Sequence, residues 1–180
     1  MIVERPPDDA SIEKKISWAK RVFHRLRNQL LTDERITRLL ERLKTAIAES
    51  RTERSRTGIV ALCTACEQRE GGSCCGAGME RRYSATLLLI NLFLGVKLPE
   101  ERMNPSSCFF LGNEGCRLMA RHVICVNYLC KKITDKVSIP QLAALREKEG
   151  VELEVLFLLN ERLRDILESR FYSSGSPETS

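Results

Sequence analysis

Eight cysteines, Cys63, Cys66, Cys74, Cys75, Cys108, Cys116, Cys125 and Cys130, fall within 68 consecutive positions of a 180-residue chain, and none lies outside them. Cys63-Thr-Ala-Cys66 is a C-x-x-C unit, whose two intervening residues let both sulfurs face one ion. A turn there would aim backbone N–H groups at the sulfurs and favour the thiolate form that metals require. Cys74 and Cys75 follow after the Glu70-Gly-Gly-Ser73 turn. Adjacent side chains normally diverge, so this pair can serve two separate ions, or one thiol binds while the other packs or reacts. Gly76 and Gly78 leave backbone N–H groups near the sulfurs, where hydrogen bonds tune charge and potential.

Three chemistries compete for these thiols. Disulfides suit an even count but belong to oxidising compartments. The N-terminus lacks a basic patch followed by an apolar run, so a reducing, cytoplasmic setting is expected. Apolar packing suits Cys125 and Cys130 within Ile124-Cys-Val-Asn-Tyr-Leu-Cys130, but not the first four cysteines, which lie among Glu, Arg, Gln and Gly. Metal ligation accounts for the spacing best, and all eight cysteines are candidate ligands. The C-x-x-C unit has no strand–helix–strand context, which disfavours a thioredoxin-type dithiol. Zinc and iron–sulfur centres both accept four thiolates. Ligands scattered over the whole segment, rather than in two compact knuckles, tilt the reading toward an iron–sulfur cluster, with [4Fe–4S] as one form.

The order Cys63-x2-Cys66-x7-Cys74-Cys75, Cys108-Phe-Phe-Leu111, Gly115-Cys116 and Arg121-x3-Cys125-x2-Tyr128 resembles the CxxCxxCC, or YkgJ-type, family of zinc- or iron-chelating proteins. The resemblance spans residues 63–130. It implies metal or cluster binding and, through the label such proteins often carry, an Fe–S oxidoreductase. Phe109 and His122 stand where the family has proline, and Cys130 lies outside its core pattern.

Other residues near the cysteines keep two readings. His122 is a surface histidine beside the site, or a ligand or proton carrier. Arg121 offsets thiolate charge or is solvated. Glu80-Arg-Arg-Tyr83 contacts a substrate, or Glu80 simply favours a helix start. His24, off its helix stripe, reads as surface. Walker A, H-E-x-x-H and G-x-S-x-G motifs are missing, which removes the standard phosphate-loop, metalloprotease and hydrolase signatures.

The elements that must position the cysteines read as mostly α: a helical bundle packed around a cysteine-rich, loop-containing metal-binding centre. Five segments are expected. Residues 1–10 form a flexible N-terminus and 11–58 a basic helical hairpin. Residues 59–135 form the metal-binding region, 136–171 are C-terminal helices packing on the core, and 172–180 are a disordered tail. Ile12, Ile16, Ala19, Phe23, Leu26 and Leu30 recur at steps of three and four, as do Ile36, Leu39, Leu40, Leu43, Ala46 and Ile47. Ser50 to Gly58 lacks apolar residues and reads as a linker, and the first four cysteines as loop. Ser84 to Val96 reads as a buried helix, and Arg117 to Lys132 as helical. Gly150 reads as a break in the last helix, whose apolar face includes Leu153, Leu156, Phe157, Leu159, Leu163, Ile166 and Leu167.

Net charge is +5, and residues 11–58 carry 13 Lys+Arg against six acids. Lys14, Lys15, Lys20, Arg21, Arg25 and Arg27 form a basic face that interleaved acids dilute, so nucleic acid is disfavoured. The longest apolar stretch, Ala85 to Val96, is too short to cross a bilayer. Two functions remain open. One is an iron–sulfur protein with a redox role, an unknown substrate and a protein redox partner. The other is a zinc-stabilised, non-catalytic module that binds a partner through its basic helices.

Overall fold

The computed structural model describes residues 5–69 and 74–173. It is mostly helical. Helix α1 (Ile12–Leu30) starts where the Ser11 hydroxyl accepts from the Lys14 N–H. Helix α2 (Glu34–Arg56) starts at Asp33, whose carboxylate accepts from the Ile36 N–H at 2.9 Å. The α2 stripe is buried as its spacing predicts, and so is that of α1 except at Phe23 and Leu26, which are half-buried against the core. Helix α4 (Ala85–Phe93) packs against α1, and α7 (Ile139–Ser173) against α2. Trp18, Ile36, Leu43, Leu88, Phe110 and Leu163 therefore share one apolar cluster, to which both ends of the chain contribute.

Two expected breaks are continuous helix. Residues 50–56 belong to α2 rather than to a linker. Their buried face is polar and is bonded mainly by α7. The Ser50 hydroxyl donates to Glu152, and Arg54 pairs with Glu149 while donating to the Val126 carbonyl at 2.7 Å. Apolar periodicity is blind to such a face. The helix ends where Gly58 takes φ 75°, a left-handed conformation that suits glycine after a helix. Gly150 does not break α7, because packing against α2 outweighs a helix-interior cost of about 1 kcal/mol. The same helix leaves Phe157 62% exposed, so that residue is not on its buried face.

Lys15 also departs from expectation. It is buried rather than part of the basic face, and its ammonium donates to the carbonyls of Asp8 at 2.6 Å and Arg81 at 3.1 Å. His24 is exposed, as its position off the stripe predicts. Among the described residues, no helix is long and apolar enough to cross a membrane. The tail beyond Ser173 and residues 1–4 lie outside the described residues.

Candidate metal centre

Cys63 and Cys66 stand on a helix, α3 (Ile59–Arg69), and not in a loop. At i and i+3 they are neighbours on one helix face, so the C-x-x-C unit presents both sulfurs without a turn. The glycine density that suggested loop begins only after this helix, at Gly71. Its N-terminal residue, Ile59, is fully buried with Ile133, Val137 and Leu145 in a second, smaller apolar cluster. Cys130 packs against that cluster. It is the residue before α6 (Lys131–Thr134), where its carbonyl accepts from the N–H groups of Ile133 and Thr134. The segment expected to be helical from Arg117 to Lys132 is instead an irregular stretch with bends followed by the two short helices α5 (Val123–Asn127) and α6.

Cys75 and Cys108 are joined through the backbone. The Cys108 N–H donates to the Cys75 carbonyl at 2.6 Å, and Gly76 bridges Ser107 in antiparallel fashion. Cys108 is buried in the main core, and Cys75 and Cys125 pack against it. Cys116 ends a two-residue hairpin, in which β1 (Leu111–Gly112) pairs with β2 (Gly115–Cys116) and Leu111 faces Cys116. Gly115 closes that hairpin at φ 108°, a region closed to most side chains.

Asn91 holds the segment leading from Cys116 to Cys125. It is fully buried; its amide donates to the carbonyls of Leu87 and Ala120, and its carbonyl oxygen accepts from the N–H groups of Met119 and Ala120. All four bonding positions of the side-chain amide are used. In the sequence Asn91 is merely a polar residue within an apolar helix; a lone Asn in such a run is the signal that a backbone segment crosses there.

Tyr83 is likewise buried and supports the thiols. Its hydroxyl donates to the Cys125 sulfur at 3.7 Å, and its ring packs against Phe110 and His122. His122 caps α5, with Nδ1 accepting from the Ile124 N–H at 3.2 Å. That bond leaves only Nε2 for a ligand or proton. Glu80 has a structural role: it is buried, it pairs with Arg102, and it accepts from the N–H groups of Gly78 and Phe109.

The thiols sense one another's charge. Burial pushes Cys63 up from its ordinary value; Arg54 opposes, and Cys130, Cys75 and Cys66 add to the rise. Cys74 is raised chiefly by a hydrogen bond with Cys75, then by burial and by Cys75, Cys63 and Cys130. The side chains of the adjacent pair therefore interact rather than fully diverging. Burial pushes Cys108 up to about 12, with Cys116, Glu80 and Cys75 adding to the effect. Cys116 and Cys125 are also raised by burial, while the positive charge of Arg121 pulls both down.

None of the eight cysteines is in a disulfide. As soft donors they fit zinc or an iron–sulfur cluster in type and number. Among the described residues, however, no group of three or more His, Cys, Asp or Glu side chains is gathered closely enough to hold an ion. The thiols are neighbours at electrostatic range, and a closed four-sulfur pocket is not formed.

No family model matches the chain, and neither a curated protein nor a solved structure matches it.

Proposed function

We propose that this chain is a thiolate metal-binding protein, holding an iron–sulfur centre or zinc through Cys63, Cys66, Cys74, Cys75, Cys108, Cys116, Cys125 and Cys130. The observations that support this reading are that none of the eight cysteines is in a disulfide, that Cys75 and Cys108 are joined through their backbones, that Tyr83 bonds Cys125, and that Cys130 packs on the apolar cluster holding Ile59 of α3. The motif order it shares with the CxxCxxCC family supports it further.

The resolved thiol shifts are upward. A reactive or redox-switching cysteine needs the opposite, because the thiolate is the nucleophile. Metal binding converts such thiols to thiolates and releases their protons, which couples binding to local ordering. An iron–sulfur centre would supply one-electron redox chemistry. The chain's own residues would tune it: Tyr83 donates a hydrogen bond to one sulfur, and Arg121 offsets thiolate charge. A redox role in the cytoplasm with a protein electron partner follows from this reading.

The zinc reading keeps the same ligands but has no electron chemistry. Its partner surface on the basic helices is weakened, because Lys15 is buried and Lys20 pairs with Glu100. Anaerobic purification followed by iron, sulfide and zinc analysis separates the two. Brown protein containing iron and acid-labile sulfide supports the cluster, and colourless protein with stoichiometric zinc supports the structural module. Protein free of both metals at full helical content overturns the proposal.

A further inference from the structure

Residues 75–77 and 106–108 run antiparallel about the Gly76–Ser107 bridge. On one side of it the Cys108 N–H donates to the Cys75 carbonyl at 2.6 Å, and on the other the Ala77 N–H donates to the Ser106 carbonyl at 2.9 Å. This pattern sets Cys75 directly opposite Cys108. Directly opposed residues of an antiparallel pair carry their side chains on the same face. That face is the core side, since Cys108 is buried in the main apolar cluster and Cys75 packs against it. Opposed residues joined by a backbone hydrogen bond have Cα atoms about 5.5 Å apart, within the range of roughly 4.4–6.8 Å that a disulfide spans. Cys116, by contrast, is opposed by Leu111.

We propose that Cys75 and Cys108 close into a cross-strand disulfide when the protein meets a small-molecule disulfide, which makes the pair a site of reversible covalent modification. The half-buried Cys75 is the point of entry. Its thiolate attacks the oxidant, one thiol leaves, and a mixed disulfide remains. The Cys108 sulfur then gives up its proton, attacks the Cys75 sulfur and expels the second thiol. Two protein thiols are oxidised while one disulfide becomes two thiols, so electrons and protons balance. Burial holds Cys108 in its thiol form, which makes the second step slow and suits the pair to sustained oxidation rather than to fast nucleophilic chemistry. The nearest competitor is Cys74, exposed and next to Cys75 in the chain. A bond between adjacent residues strains the peptide that joins them, whereas the cross-strand bond spans backbone that is already paired. The pairing is a property of the backbone and does not depend on metal binding. Where the thiols serve as ligands, closure withdraws two of them.

The test treats reduced, chelator-stripped full-length protein with oxidised glutathione, alkylates the remaining thiols under denaturing conditions, and maps the cross-links by tandem mass spectrometry after trypsin. Trypsin leaves Cys74 and Cys75 in one peptide and Cys108 and Cys116 in another, so fragmentation within the linked pair assigns the sulfurs. The expected bond joins Cys75 to Cys108, survives Cys74→Ser and Cys116→Ser, and is lost in Cys75→Ser, with circular dichroism reporting the helical fold. Should Cys75→Ser fail to fold, fragmentation of the wild-type cross-link alone decides. A Cys74–Cys75 bond, a bond from Cys75 to any other cysteine, or Cys108 recovered only in alkylated form overturns the proposal. Metal content does not enter this readout, so failure of the metal-binding reading is seen separately.

Discussion

The backbone carbonyl of Cys75 accepts the N–H of Cys108 at 2.6 Å, which stitches together two cysteine groups separated by more than thirty residues of chain. Beyond this bond the Gly76–Ser107 bridge continues the pairing, and Glu80 accepts the next N–H, that of Phe109. Cys75 and Cys108 are thus held side by side by backbone bonds.

Tyr83 reaches Cys125 through its hydroxyl. Tyr83→Phe keeps the ring against Phe110 and removes the hydroxyl that donates to Cys125. Loss of a hydrogen bond of this kind typically weakens metal affinity about 10–100-fold. Chelator competition on the full-length protein should show that loss with little change in the melting temperature. Equal affinity for the variant and wild type would remove Tyr83 from the centre.

Asn91 carries the approach to Cys125. Asn91→Leu orphans the Met119 and Ala120 N–H groups in a buried setting, and each such group costs about 1–3 kcal/mol. Urea unfolding should show a loss of about 3 kcal/mol. A loss below about 1 kcal/mol would mean that water or a shifted backbone satisfies these groups.

Glu80 makes stability depend on pH. Burial opposes its ionisation, but Arg102 and the N–H groups of Gly78 and Phe109 outweigh burial and hold its carboxyl below the ordinary 4.5. The unfolded chain therefore binds this proton first as pH falls. The stabilisation is complete above 4.5 and is lost as pH drops through the folded value. Glu80→Gln should lower stability at neutral pH and flatten the acid limb of a denaturation series. Parallel limbs for the two proteins would contradict this role.

Gly150 offers the opposite sign. It is exposed within α7, and a Cβ built there meets nothing within 4 Å. Gly150→Ala should raise stability by about 0.5–1 kcal/mol, read as a higher urea midpoint. Destabilisation would mean that α7 bends at that point.

The helical stripes of α1 and α2 were legible because apolar residues at steps of three and four leave a periodic mark. The end of α2 was not, since Arg54 and Ser50 bury polar atoms against Glu149 and Glu152, partners about a hundred positions away. Periodicity also hid the burial of Lys15, whose acceptors are backbone carbonyls and so have no sequence signature. The backbone setting of the cysteines was not legible in their spacing, because it depends on which apolar cluster each carrier element joins. Cys130, outside the core family pattern, sits beside α3 only because Ile59 and Ile133 pack together. Tyr83 could be singled out as a residue near the cysteines, but its contact with Cys125 arises from the fold alone.

X-ray absorption at the edge of the metal that copurifies with the full-length protein tests thiolate ligation most directly. The account predicts a shell of about four sulfur neighbours near 2.3 Å, the distance expected for zinc–thiolate bonds and similar for cluster iron. A first shell made only of oxygen and nitrogen, or a folded protein with no bound metal at all, would contradict it.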